Sequence, residues 1–294
     1  MPELPEAKRS AAQLHKRLEN AILYGFLMGS VKAKPEDTER LAAFLPCKIV
    51  RVFSRGKKVI FHLNNGVDTM YIVSSLGMTG KWMYRQTNNT VAVLDVVLST
   101  EERRYVYFDD QRHFGGIKIA SGEEGLAKAL EKVGYDWLQD DFPVEFFLSI
   151  LFSGQYNKIT IANFLMQQGI FAGVGNYLKS EILYCAKVMP TRRIGTLSRE
   201  EGATIYYMAK YIMQESYEAG GFTIESFLDP EEIYGQYQAR VYKKERDAYN
   251  NIVHSGYLPA CGPKQKCYWV LEVQDPAAAQ QAAWFQWQML QQKG

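Results

Sequence analysis

The spacing of the apolar residues changes once along the chain, and that change limits the possible folds more than any other feature. Between residues 21 and 119 the apolar positions gather in short β-branched or aromatic runs: Ile49 to Phe53, Val59 to Leu63, Met70 to Val73, Val91 to Leu98 and Tyr105 to Phe108. Asn64, Asn65 and Gly66 make the clearest hairpin turn between them, because Asn and Gly accept the left-handed backbone of a tight β connection. From about residue 143 the spacing becomes helical, with segments expected near 143–153, 160–168, 176–187 and 198–218. Ser198 and Glu201 have capping-box spacing at the start of the last segment, and Gly220 and Gly221 close it. Ahead of the strands, Ala7, Ala11, Leu14 and Leu18 recur on one helical face, with Lys8, Arg9, Lys16 and Arg17 between them. A second capping box is expected from Ser121 to Glu124, opening a helix that runs through Leu126 and Leu130 to Gly134.

The pattern predicts an α+β chain of about two domains. An N-terminal helix packed on an antiparallel β-sandwich or barrel occupies residues 1–136, and a helical domain follows over 142–228. The stretch 134–143, with acidic Asp140 and Asp141, marks the boundary. A loop rich in Tyr, Gln and Gly (229–238) leads to a last strand-like segment, 239–274. The tail 275–294 suggests a helix through Ala277 to Ala279 and Trp284 to Leu290.

With 34 Lys and Arg against 32 Asp and Glu, the net charge of +2 selects no partner, so any surface for a polyanion must come from where the basic residues lie. Cys47, Cys185, Cys261 and Cys267 form no CxxC pair, and reduced thiols in an intracellular protein are expected. The lack of a signal peptide or a long apolar run argues against secretion and membrane spanning.

Two stretches carry chemistry. The chain opens MPELPE, and removal of Met1 turns the Pro2 nitrogen into a secondary amine able to form an iminium with a sugar aldehyde carbon. Glu3 stands beside it as a carboxylate able to move protons to and from that sugar. Taken alone, the plainer role is the commoner one: Pro5 fills a first helical turn while Glu3 and Glu6 complement the helix dipole. Gly173-Val174-Gly175-Asn176 is a tight connection before a helix, where backbone N–H groups and the Asn176 side chain can bind phosphate; alone it is usually a helix cap.

The run NFLMQQGIFAGVGNYLKSEILYCAKVMP resembles the helix-two-turn-helix of the formamidopyrimidine-DNA glycosylase and endonuclease VIII (Fpg/Nei) family. MPELPE resembles the catalytic start of the Fpg branch, whereas Nei enzymes commonly have Gly at the place of Leu4. Ser54-Arg55-Gly56-Lys57-Lys58 is similar to the segment bearing the family's catalytic-site lysine, which maps to Lys57. Leu76-Gly77-Met78-Thr79-Gly80 and Asp110-Gln111-Arg112-His113-Phe114-Gly115 resemble the two loops that fill the hole left by an extruded nucleotide. By that resemblance Met78, Arg112 and Phe114 are DNA wedges, with Arg112 pairing with the orphaned base. Without it, Met78 and Phe114 would read as packing residues and Lys57 as a solvated charge.

Family members often end in a zinc finger held by two CxxC pairs, with an arginine in its hairpin that grips phosphate. Val241 to Lys244 and Tyr268 to Gln274 resemble the approach to and exit from that hairpin, but the cysteine pairs are missing, so the resemblance implies a zincless finger over 239–274 and no metal. The arginine is replaced by lysine, with Lys264 the first choice and Lys266 its competitor. His113 stands where a second arginine is common, Ala162 replaces a lysine that reaches toward the damaged base, and the 229–238 loop matches poorly.

The resemblance implies a bifunctional DNA glycosylase and apurinic/apyrimidinic lyase. Pro2, Glu3 and Lys57 are its expected catalytic residues; Met78, Arg112, Phe114, Gly173, Gly175, Asn176 and Lys264 are its expected DNA contacts. Its partner would be double-stranded DNA containing oxidised bases or abasic sites, bound by a monomer with no cofactor and no membrane. The location would be nuclear in a eukaryote and otherwise cytoplasmic, at the nucleoid. Oxidised purines and formamidopyrimidines are the expected bases, and oxidised pyrimidines or hydantoins the alternative. From other classes, a non-catalytic damaged-DNA-binding module or an enzyme of small sugar aldehydes would also use parts of this set.

Overall fold

Helix α1 (Leu4–Leu18) buries Leu4, Ala7, Ala11, Leu14 and Leu18 along a single face in the computed structural model. That is the spacing expected of a helix lying on a sheet. The structure describes residues 2–223, 228–261, 266–275, 277 and 280. Two compact units interleave along the chain. The first comprises Met1–Gln139, Gln168–Gly173 and Gln214–Tyr237; the second comprises Asp140–Gln167, Val174–Met213 and Gln238–Gly294.

In the first unit α1 is followed by β1 (Ile22–Met28), α2 (Pro35–Phe44), β2 (Cys47–Arg55), β3 (Lys58–Asn64), β4 (Thr69–Ser75), β5 (Lys81–Met83), β6 (Thr90–Val97), β7 (Arg103–Asp109), β8 (Gly116–Ser121), α3 (Gly122–Leu130), β9 (Tyr135–Asp136) and β10 (Phe171–Ala172). The first eight strands form one antiparallel sheet in the order β5-β7-β6-β1-β2-β3-β4-β8. The sheet folds back on itself. Trp82 of edge strand β5 packs edge-on against Phe61 of β3, 5.0 Å between ring centres, and donates its indole N–H to Ser74 Oγ of β4 at 3.1 Å. Strands from opposite ends of the sheet therefore share a core with Leu14 and Leu18 of α1, as expected of a sandwich. The Asn64 turn is held by its own side chains: Gly66 N–H donates to Asn64 Oδ1 (2.8 Å), and Asp68 N–H to Asn65 Oδ1 (2.8 Å).

Two expectations need correction here. Residues 35–44 are helical, not part of the strand pattern; α2 buries only Asp37, Leu41 and Phe44, too few apolar positions to show a helical period. Ser121 does stand at the start of α3, but its hydroxyl makes no capping bond. β9 and β10 form a two-residue parallel pair, with Trp137 packed 5.2 Å from Phe171.

The second unit contains α4 (Val144–Leu151), α5 (Ile161–Leu165), α6 (Asn176–Cys185), the greater part of α7 (Arg199–Glu218), β11 (His254–Tyr257), β12 (Lys266–Trp269) and α8 (Leu271–Gln274). Phe147 of α4 packs on Phe164 of α5 and Tyr206 of α7. The capping box of α7 is formed: Glu201 N–H donates to Ser198 Oγ (3.1 Å), and Ser198 N–H to Glu201 Oε2 (2.8 Å). Among the described residues of 239–274 the expected strand is confined to β11 and β12, which pair antiparallel. Residues 239–253 turn instead, because Asp247 takes the amides of Tyr249 and Asn251 (2.9 Å each) and leaves no ladder to build. Apart from residues 277 and 280, the helix suggested for the tail lies outside the described residues. Among the described residues no helix is long and apolar enough to cross a membrane.

Candidate functional site

The start of α1 is fixed by a reciprocal pair of carboxylates. The Glu3 side chain accepts from the Glu6 N–H, and Glu6 Oε2 accepts from the Glu3 N–H at 2.7 Å. This is a capping box built from two acids, which satisfies two helix-end donors and places both carboxylates at the positive end of the helix dipole. Pro2, Glu3 and Glu6 are all buried. Glu6 Oε1 also accepts from Phe222 N–H at 2.7 Å, which ties the α1 start to the chain after α7. The Leu4 N–H donates to the Gly173 carbonyl at 3.1 Å. A Cβ on Gly173 would lie 2.5 Å from Leu4 Cβ, and its φ of +109° already favours glycine. Gly173 thus lets the backbone approach the first residue of α1 closely.

Lys57 reaches the same place from the turn between β2 and β3. Gly56 makes that turn with φ +55° and donates its N–H to Asp136 Oδ2 at 2.8 Å. Asp136, fully buried, also accepts from Leu138 N–H at 2.9 Å. Gln139 adds a brace, donating to the Ser54 carbonyl at 2.7 Å. Burial pushes the Lys57 ammonium below its ordinary pKa, while the charges of Glu3 and Glu6 oppose that fall. Pro2, Glu3, Lys57 and Gly173, spread over most of the sequence, are therefore gathered at one helix start.

Met78, Arg112 and Phe114 lie on two loops that touch. A Cβ on Gly77 (φ +61°) would lie 2.6 Å from the Gly115 nitrogen. Buried Asp110 joins the loops: Thr79 Oγ1 donates to its Oδ1 (2.6 Å), and Gly115 N–H to its Oδ2 (2.6 Å). Arg112 N–H in turn donates to Thr79 Oγ1 at 3.1 Å. Over this web Met78 is 36 % exposed and Phe114 50 %, which leaves both side chains at the surface, where a wedge would have to stand. The Arg112 guanidinium lies 5.0 Å from the centre of the Phe114 ring, and the Lys32 ammonium lies 5.4 Å from it.

In the second unit, Gly175 is the N-cap of α6 in an extended conformation and Asn176 is the first helical residue. Asn176 Oδ1 accepts from the fully buried Lys179 ammonium at 3.1 Å, which leaves its amide nitrogen as a donor. Buried Glu181 accepts from the backbone N–H groups of Arg240 (2.7 Å), Val241 (3.0 Å) and Tyr242 (2.9 Å), anchoring the approach to the hairpin on α6. Lys264 lies outside the described residues. Lys266 rests its ammonium 5.3 Å from the Tyr268 ring centre.

The cysteines of this hairpin do not fit a structural zinc. Cys261 donates its thiol hydrogen to the Pro190 carbonyl (3.4 Å), a bond that a metal-bound thiolate could not make. Two such thiols fall short of a four-donor set, and no group of three or more metal-binding side chains converges among the described residues.

Sequence reasoning missed the buried acids Asp110, Asp136 and Glu181 and the buried Lys179. Their partners are largely backbone amides or groups distant in sequence, which no spacing rule reveals. Asp110, Lys179 and Glu181 left a trace through their places in the quoted blocks, and Asp136 left none.

Two family models match the chain: the formamidopyrimidine-DNA glycosylase N-terminal domain over residues 1–117, and the formamidopyrimidine-DNA glycosylase H2TH domain over residues 133–227. The formamidopyrimidine-DNA glycosylase of Shouchella clausii is 30% identical over 284 residues, covering 90% of this chain and 100% of that protein. That of Thermus thermophilus is 31% identical over 251 residues, covering 83% and 88%. Among solved structures, the MutM (Fpg) protein of Thermus thermophilus superposes with a TM-score of 0.79 at 25% identity, covering 93% of this chain and 98% of that one. Lactococcus lactis Fpg in complex with DNA containing an abasic site gives 0.79 at 21% identity, covering 93% and 99%, a likeness of fold.

Proposed function

The chain belongs to the formamidopyrimidine-DNA glycosylase family, and from that we propose that it is a base-excision-repair DNA glycosylase with lyase activity, acting on oxidised purines and formamidopyrimidines in double-stranded DNA. The gathering of Pro2, Glu3, Lys57 and Gly173 at the start of α1 carries this reading, since simple DNA binding has no use for an amine and an acid side by side.

After removal of Met1, the Pro2 nitrogen attacks C1′ of the extruded nucleotide, and the bond from C1′ to the base breaks. Glu3 delivers a proton to the ring oxygen, which opens the sugar and leaves an iminium between Pro2 and C1′. The iminium acidifies the C2′ proton, so the 3′ phosphate departs by β-elimination; δ-elimination of the 5′ phosphate follows, and hydrolysis frees Pro2. Lys57 holds the phosphate of the reacting nucleotide. Met78, Arg112 and Phe114 fill the vacated space, with Arg112 meeting the unpaired base. Gly173, Gly175, Asn176 and the finger lysine, Lys264 or Lys266, add phosphate contacts. Action on cellular DNA places the protein at the nucleoid or in the nucleus.

Borohydride reduction on a duplex carrying one oxidised purine tests the reading. A covalent adduct is expected with the natural chain and none with Pro2→Gly. Intact-mass measurement of active protein that still carries Met1 would overturn the mechanism. Specific binding without an adduct would identify a damaged-DNA-binding module.

A further inference from the structure

Within the first unit an open hollow of about 550 Å³ begins at Lys57. Lys58, Lys118, Lys128 and Lys132 also line it, between apolar wall residues that include Leu76, Ala129 and Val133, and Glu131 is the acid among its described lining residues. These lysines come from separate elements: Lys58 from β3, Lys118 from β8, Lys128 from α3 and Lys132 from the turn after it. Lys118, Lys128 and Lys132 are exposed, while Lys58 is braced by donation to Ser75 Oγ at 2.7 Å. Burial and the charge of Lys118 both push the Lys58 ammonium below its ordinary pKa. Five ammonium groups around one hollow repel one another, and a single carboxylate does not balance them. An anion of several charges would.

The lining also says which part of such an anion enters. Gly77, next to Met78, and Ala172, next to Gly173, are among the wall residues, so the hollow adjoins both the Met78 loop and the turn that holds the start of α1. No aromatic ring lines it among the described residues, so it offers bases no stacking platform. Sugar and phosphate fit it better.

We propose that this hollow is a track for the DNA backbone beyond the phosphate at Lys57, in which Lys118, Lys128 and Lys132 each take a phosphate oxygen. The identity of the polyanion rests on the function proposed above. The track lengthens the hold on one strand without reading its sequence, so it raises affinity for damaged and undamaged duplex alike.

The test compares the natural chain with Lys118→Gln/Lys132→Gln on a lesion duplex between 50 and 200 mM salt. The slope of log affinity against log salt is expected to shrink by about 1.8, at about 0.9 per lost phosphate contact. The ratio of lesion to undamaged binding and the borohydride adduct at saturating protein should not change, and Lys118→Arg/Lys132→Arg should restore the slope. Methylphosphonate linkages placed one at a time outward from the lesion should weaken the natural chain at two neighbouring positions where the Gln variant is indifferent. An unchanged slope with identical methylphosphonate profiles overturns the track, even where the adduct forms. A reduced slope with no adduct from the natural chain keeps the track and removes the lyase mechanism, and failure to bind duplex at all removes both.

Discussion

The starts of α1 and α6 are built in opposite ways. At α1 two buried carboxylates, Glu3 and Glu6, cap the helix reciprocally and Pro5 fills its first turn. At α6 the N-cap is Gly175, no side chain makes a capping bond, and the first turn holds no acid. A helix start concentrates partial positive charge. In α1 the fold answers that charge itself and so fixes an acid beside Pro2, where the proposed mechanism moves a proton. In α6 the first turn holds no acid, which is the arrangement the proposed phosphate contact would use. Under the function proposed above, the same backbone property would serve catalysis at one helix start and substrate grip at the other, with the side chains deciding which.

Four experiments press on that contrast. Glu3→Gln keeps an acceptor for the Glu6 N–H but loses the transferable proton. Single-turnover base release should fall on the order of 10²- to 10⁴-fold, with little change in thermal unfolding. A rate within a few-fold of the natural chain would reduce Glu3 to a cap.

Glu6→Ala strips acceptors from the Glu3 and Phe222 N–H groups at once. Each buried orphan costs about 1–3 kcal/mol, so urea unfolding should show a loss on the order of 3 kcal/mol. Gly175→Asp gives α6 the kind of start that α1 has. Stability should rise by about 0.3 kcal/mol, while duplex affinity drops by about 1 kcal/mol, or roughly fivefold, from carboxylate against phosphate. Unchanged affinity would mean that no phosphate meets this turn.

The smallest effect is in pH. Lys57 titrates lower in the fold than in the unfolded chain, so above its lowered pKa and up to its ordinary value of 10.5 the unfolded chain holds more protons. Stability from this group therefore rises with pH through that window and is lost as pH falls through the folded value. Lys57→Met should flatten that part of the stability curve, as read by denaturation at a series of alkaline pH values.

Much of this frame was legible in the sequence because it repeats. The apolar face of α1 and the paired runs of β2, β3, β4, β6 and β7 are periodic, and periodicity survives without knowledge of contacts. Helix α2 was not legible, since three buried residues in ten leave no rhythm to detect. The site residues became visible through short blocks, MPELPE and GVGN among them, whose family resemblance outweighed their weak individual signals. What supports those blocks stayed hidden. Asp136 beneath the Lys57 turn and Glu181 under residues 240–242 bind backbone amides far along the chain, and Asp110 joins its own loop to the distant Thr79 hydroxyl. A lone Asp or Glu in a sequence looks the same whether it faces water or staples two loops.

The Asp110 staple has a consequence for how quickly damage can be found. Thr79, Gly115 and Arg112 are already tied together before any duplex arrives. On the role proposed for these loops, little chain entropy remains to be surrendered on contact, so base-pair unstacking rather than loop rearrangement is expected to set the tempo of interrogation. Weakened pairs would be sampled first, and a search through sound sequence would be slowed only by the stiffness of the helix being tested.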